Sequence, residues 1–126
     1  MSKEDLMPSE TEWLVMESVW SSEGTLTSAE IIEHLKNVKR MAPKTVRVLI
    51  NRLCQKGLLS YTVDSRDSRV YHYQAVKSRE ECLAEKSRHF IDSYFSGNGQ
   101  GAVAALLQNV ELSEQELESL RDILRK

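Results

Sequence analysis

At Gly57 the apolar residues of the chain change their spacing from a three-or-four repeat to strict alternation, and that switch limits the folds open to it. Upstream, Val46, Leu49, Ile50 and Leu53 recur at i, i+3, i+4 and i+7, the stripe of a helix that buries one side. Pro43 suits the first turn of that helix, where its missing N–H costs nothing, and Gly57 suits the left-handed residue that ends it. Downstream, Leu59, Tyr61 and Val63 alternate, then Tyr71, Tyr73 and Ala75, with the polar stretch DSRDSR between the two runs. That pattern predicts a β-hairpin carrying Arg66 and Arg69 at its tip.

Three further helix starts share one chemistry, a Ser or Thr followed three places on by Glu. Ser9 and Glu12 open a helix over SETEWLVMESVW, with Trp13, Met16 and Trp20 expected on one face. Thr27 and Glu30 open SAEIIEHLKN, with Ser28, Ile31, Ile32 and Leu35 on one side, and GTL at 24–26 is a short connection. Ser113 and Glu116 open SEQELESLRDILR near the end of the chain. Three helices followed by a hairpin predict a winged helix-turn-helix domain within residues 1–76. Residues 77–126 form a separate helical region, in which SGNGQG at 96–101 interrupts two apolar segments. Leu83, Phe90, Ile91 and Tyr94, with Leu106, Leu117, Leu120 and Leu124, give that region much apolar surface and too little thickness for its own core. It either packs back on the first domain or pairs with a second chain, and pairing into a homodimer is favoured because the hairpin already closes the first domain. The expected class is mainly α with a small β-hairpin.

The net charge of −2 conceals a strong asymmetry. From Met1 to Glu33 one basic residue faces eight acidic ones; from His34 to Val63 there are seven basic residues and no acidic one. Such a block marks an electrostatic footprint for nucleic acid, the alternative being a merely solvated face. With the apolar stripe of the third helix turned inward, Lys44, Thr45, Arg47 and Val48 fall outward in its first half. Lys and Arg can donate to guanine O6 and N7, a Thr hydroxyl can bond either kind of base edge, and a Val methyl can meet a thymine methyl. These four are the expected base readers of double-stranded DNA in the major groove. Asn51, Arg52, Lys56, Arg66 and Arg69 are the expected phosphate contacts, which fix register and supply salt-dependent affinity. Two other readings remain open on the residues alone: a winged-helix module for an acidic protein partner, and a ligand- or metal-controlled regulator.

Enzymatic signals are missing. His34, His72 and His89 lie in three different predicted elements, with no triad or zinc spacing. Cys82 and His89 share a helix face but offer only two ligands, and Cys54 and Cys82 read as buried reduced thiols. GNGQG follows a helix rather than a strand, so it is no phosphate loop. No catalytic residue, cofactor or metal is expected. Neither end has an apolar run suited to a signal peptide or a membrane span, so the expected location is the cytoplasm, with no membrane partner.

The order SETEWLVMESVW, SAEIIEHL, APKTVRVLINRLCQKGLL, a tyrosine-rich hairpin, FIDSYFSG and LSEQELESLRDIL resembles the penicillinase-repressor family of bacterial winged-helix regulators, from about Ser9 to Leu124. The resemblance implies a homodimeric transcriptional repressor that binds a palindromic operator and controls a resistance or stress operon such as that for beta-lactam resistance. Matched residue by residue, it places the base-reading pair at Lys44 and Thr45 and a backbone-contacting arginine at Arg52. In the antibiotic-responsive branch a protease cleaves within the dimerisation region; the corresponding place lies near Ala104 to Leu107, with Ala105 and Leu106 as candidate site and an inducing protease or sensor as implied partner. The chain departs from the family pattern in three ways. Met41 and Ala42 replace the usual Trp and Ser before Pro-Lys-Thr, which removes a capping hydroxyl worth ~1 kcal/mol. Small and aliphatic residues replace the Asn-Phe cleavage pair, and the copper branch's CxC is absent.

Overall fold

The computed structural model describes residues 6–126, so the first five residues of the expected first domain lie outside it. Within that range the chain forms α1 (Glu10–Trp20), α2 (Ser28–Leu35), α3 (Pro43–Gln55), β1 (Leu59–Val63), β2 (Tyr71–Ala75), α4 (Arg79–Phe95), α5 (Gly99–Gln108) and α6 (Glu114–Leu124). The fold is mainly α with one antiparallel hairpin, a winged helix-turn-helix arrangement followed by helices. Two compact units divide between Ser87 and Arg88, inside α4.

The expected capping boxes at Ser9/Glu12, Thr27/Glu30 and Ser113/Glu116 are all formed, each with reciprocal side-chain and backbone bonds. A fourth pair opens α4: Glu81 N donates to Ser78 Oγ (3.0 Å) and Ser78 N to Glu81 Oε1 (3.2 Å). α3 ends as its glycine requires. Gly57 has φ 77°, its N–H donates to Cys54 O (3.0 Å), and Leu58 N donates to Leu53 O (3.0 Å), the paired bonds of a Schellman stop.

In the first unit Val46, Leu49, Ile50 and Leu53 of α3 meet Val15, Met16 and Val19 of α1 and Ile31 and Leu35 of α2 in one core. Two expected features carry more detail than spacing shows. The buried face of α1 is Val15, Met16 and Val19; Trp13 and Trp20 stand half-buried on its flank, edge to face at 5.1 Å. Burying one indole side leaves its N–H free for a polar partner, and Trp20 Nε1 donates to Lys77 O (2.9 Å) while Trp13 Nε1 donates to Glu17 (2.9 Å). The segment 24–26 is more than a connection, because Leu26 bridges Tyr73 with two backbone bonds (3.0 and 2.8 Å). The bridge adds a one-residue third rung to the sheet and buries both side chains.

The hairpin pairs Leu59 with Ala75 through to Val63 with Tyr71, and Asp64 N donates to Val70 O (2.8 Å) to close the wing. Hydropathy suggests a division after residue 76, whereas the compact unit continues to Ser87. Arg79 Nε donates to Glu17 (3.0 Å) and Cys82 is buried in the first core, so the opening turns of α4 belong there. In the second unit α5 starts inside the glycine-rich stretch, with Asn98 as N-cap, its side-chain oxygen accepting from Gly101 N (3.1 Å). Only Ala102 is buried among its described residues.

One charged residue lies deep in the first unit. Glu12 is 3% exposed; its Oε1 accepts from Ser9 N (2.9 Å) and from Lys56 Nζ (2.6 Å), and Lys56 Nζ also donates to Met7 O (3.0 Å). Burial pushes the Glu12 carboxyl up, but the Lys56 ammonium and the Ser9 N–H outweigh it and hold the pKa below its ordinary value.

Two outcomes follow from this packing. A Cβ at Gly57 would meet nothing within 4 Å, so Gly57→Ala costs backbone strain alone, ~1 kcal/mol, read as a melting temperature lower by about 4–8 °C. A carboxyl whose folded pKa is depressed stabilises fully above its ordinary value, ~4.3, and loses that contribution as pH falls through the lower folded value. Urea unfolding of Glu12→Gln between about pH 6 and pH 3 therefore shows a flatter loss of stability than wild type.

Candidate nucleic-acid interface

Burial of one stripe of α3 dictates what its other side presents. Lys44, Thr45, Arg47, Val48, Asn51 and Arg52 are all exposed, and Lys39 and Arg40 stand exposed in the turn before the helix. Among the described residues Lys44, Arg47 and Arg52 have no ion-pair partner, so their charge is unspent in the isolated chain. The start of α3 is uncapped by any side chain: Ala42 supplies no oxygen, Pro43 lacks an N–H, and no acidic residue sits in the first turn. Lys44 and Thr45 therefore extend from an end that is already positive by the alignment of peptide dipoles.

Lys56 is a correction. Expected as a phosphate contact, it is half-buried at the end of α3 with its ammonium engaged by Glu12 and by Met7 O. Moving it to a phosphate would strand a carboxylate that is almost wholly buried, a costly exchange.

Two aspartates build the wing tip. Asp64 Oδ2 accepts from Arg66 N (2.9 Å) and Asp67 N (3.0 Å), and Asp64 Oδ1 lies 2.8 Å from His72 Nε2. The His72 hydrogen bond and then the two backbone N–H groups hold the Asp64 carboxyl below its ordinary pKa. Asp67 takes Arg69 in a fork, Nε at 3.1 Å and Nη2 at 3.2 Å, with the Arg69 hydrogen bonds lowering its pKa. The Arg69 side chain remains 88% exposed, and exposed pairs contribute little, so a phosphate can compete for it. Arg66 has no ion-pair partner among the described residues, and its side chain projects from a tip whose backbone is pinned.

Arg47 and Asn51 of α3, Arg69 and Tyr71 of the wing, and Thr27 and Ser28 at the start of α2 line a single cleft of about 370 Å³. It gathers expected contacts from three elements on one side of the unit. Thr27, Ser28 and Tyr71 were not legible as its members, since their positions depend on how α2 and the hairpin pack around α3. Tyr61 and Tyr71 stack on each other at 4.5 Å with rings 4° apart, and Tyr73 is buried, so the tyrosines pack the hairpin.

The expected dimerisation residues are exposed or half-buried in the single chain, with Tyr94 76% and Leu124 80% exposed, and Leu83, Phe90, Leu106 and Leu120 exposed as well. Ile91 and Leu117 are half-buried. The candidate cleavage pair, Ala105 and Leu106, lies inside α5, and the Asn109 side-chain amide donates to Ala105 O (2.8 Å). Both cysteines are free; Cys82 is buried and Cys54 half-buried, and burial raises both thiol pKa values. Among the described residues no group of three or more His, Cys, Asp or Glu could hold a metal ion, and no helix is long and apolar enough to cross a membrane.

Residues 8–126 match the family model described as Penicillinase repressor. The chain is 30% identical over 118 residues to the methicillin resistance regulatory protein MecI of Staphylococcus aureus (strain N315), covering 94% of this chain and 93% of that one. It is 27% identical to the penicillinase repressor of Staphylococcus aureus, with coverage of 98% and 95%, and 27% identical to that of Bacillus licheniformis, with 94% and 89%. The solution structure of the DNA binding domain of the repressor BlaI superposes with a TM-score of 0.51 at 26% identity, covering 64% of this chain and 93% of that domain. Bordetella bronchiseptica BpsR shares the fold, with a TM-score of 0.53 at 16% identity over 99% of this chain and 81% of that one.

Proposed function

The chain belongs to the penicillinase-repressor family, and from that premise we propose how it works as a DNA-binding transcriptional repressor. Two copies join through their second units and lay one α3 each into successive major grooves of a palindromic operator. The half-sites then stand about one helical turn, ~10 bp, apart or a multiple of it. Occupying the promoter blocks transcription, and the names of the relatives favour an antibiotic-resistance operon as the target. Such a protein works in the cytoplasm, on the DNA.

The observation that carries this reading is the exposed, carboxylate-free first half of α3, whose Lys44 and Arg47 have no ion-pair partner among the described residues. Lys44, Thr45, Arg47 and Val48 are assigned to base edges. Asn51, Arg52 and Arg66 are assigned to phosphates, with Arg69 joining them on release from Asp67. Arg47 faces the cleft shared with the wing as well as the first turn, so its role extends to the backbone beside the bases it reads.

The second unit supports pairing because a segment with one buried residue and several exposed large apolar ones has no core of its own. Cleavage at Ala105–Leu106 as an inducing step requires α5 to unwind first, since a protease binds an extended strand and the Ala105 carbonyl accepts from the Asn109 side-chain amide within the helix.

Selection of bound duplexes from a random pool tests the reading directly and yields a palindrome of the stated spacing. On the selected duplex Lys44→Ala costs ~1–3 kcal/mol and relaxes preference at one base step, while Arg66→Ala weakens all duplexes and lowers the salt slope by about 0.9. Unchanged binding by Lys44→Ala of both the selected duplex and a random one would remove α3 from the groove. Leu106→Asp, placed on the exposed face of α5, shifts sedimentation from dimer to monomer and weakens operator binding without changing the far-ultraviolet spectrum.

A further inference from the structure

We infer that the Lys56–Glu12 ion pair is a positioning device for DNA reading, setting the angle at which the first turn of α3 meets the bases. This deepens the repressor function proposed above and rests on it.

The pair joins the last turn of α3 to the first turn of α1, two points 44 residues apart in sequence. Each charge also suits its own helix. Glu12 lies at the N-terminal end of α1 and Lys56 at the C-terminal end of α3, where the peptide dipoles favour them. Glu12 is held a second time by Ser9 N, and Lys56 by Met7 O, so neither partner can slide without breaking another bond. The tie is nearly dry, with side-chain exposures of 20% for Lys56 and 4% for Glu12, against 30% or more on both sides of every other pair recorded among the described residues.

The rest of α3 is held by apolar contacts along one stripe, and apolar contact is non-directional. A helix of 13 residues is about 20 Å long. If it pivots on Leu49 and Ile50 near its middle, about 8 Å from Lys44, a tilt of about 10° moves the Lys44 backbone by roughly 1.4 Å, more than a hydrogen bond to a base edge tolerates. The directional bond at the far end removes that freedom. Lys56 thus acts on the bases through Lys44 and Thr45 and touches no DNA itself.

Binding of a duplex selected by the wild type from a random pool is compared with binding of a shuffled duplex of equal length, each across a salt series. Two variants remove the tie. Lys56→Met deletes the ammonium, and Glu12→Gln with Lys56→Met also neutralises the carboxylate, so that no buried charge is stranded while the Ser9 cap keeps an acceptor. In both, binding of the selected duplex falls about tenfold, while binding of the shuffled duplex and both salt slopes stay at wild-type values. Lys56→Arg restores a cation within reach of Glu12 and recovers discrimination. A salt slope lower by about one unit on both duplexes in Lys56→Met would make Lys56 a phosphate contact and overturn the inference. Unchanged discrimination by the double variant, at a temperature where circular dichroism shows it folded, would reduce the pair to a stabilising contact and overturn it equally. Failure of the wild type to enrich any duplex is a separate result; it removes the repressor reading and this inference together.

Discussion

One side of α3 has to be dry before its other side can be read. Val46, Leu49, Ile50 and Leu53 are all buried, and their spacing leaves no rotation of the helix that keeps them dry and also hides Lys44, Thr45, Arg47 and Val48. The hydrophobic effect therefore aims the charged side, although it acts on none of the charges. Neighbouring elements serve the same end: α1 and α2 supply the floor for the stripe, and Leu26 and Tyr73 bind the wing to that floor through two backbone bonds.

The electrostatics of the helix ends extend this division of labour. α1, α2, α4 and α6 begin with a Ser or Thr and a glutamate at the third helical position, which satisfies free N–H groups and places negative charge at the positive end. In α3 the corresponding positions are Ala42 and Thr45. A capping box there would gain ~1 kcal/mol of stability and set a carboxylate beside the residues proposed to meet DNA. The helix forgoes that gain at the end proposed to read DNA and is held at the opposite end by Lys56 and Glu12 instead. Stability and charge are thus separated along one element.

Local chemistry was legible in the sequence, and long-range contact was not. Helix starts are written in four residues, and the switch at Gly57 marks both the helix stop and the hairpin, so α1, α2, α3, α6 and both strands follow from spacing and capping. Ser78 and Glu81 carry the same box and were legible by the same rule. Lys56 looked like the other basic residues of its helix because nothing nearby in sequence names its partner; Glu12 was already accounted for as a cap. Trp13 and Trp20 look like core by hydropathy, yet each needs a polar partner for its indole N–H, which draws them to the flank. The Leu26–Tyr73 bridge is one residue long and leaves no periodicity to detect. α5 begins within glycines because Asn98 caps it, an effect of side-chain hydrogen bonding that outweighs low helix propensity over a few residues.

Control of such a reader need not touch the reading surface. A single α3 in one groove has few contacts, and joining two of them converts the second binding event into an intramolecular one at high effective concentration. In the proposed dimer, affinity for a palindrome depends on whatever keeps the second units together. On that proposal the dependence falls on a segment with one buried residue of its own, whose stability would be tied to protomer concentration. Any event that opens α5 where Asn109 secures the Ala105 carbonyl removes apolar surface from the pairing face. In the proposed dimer such an event lowers DNA affinity by the factor that bivalence had contributed, while the core around α3 stays folded.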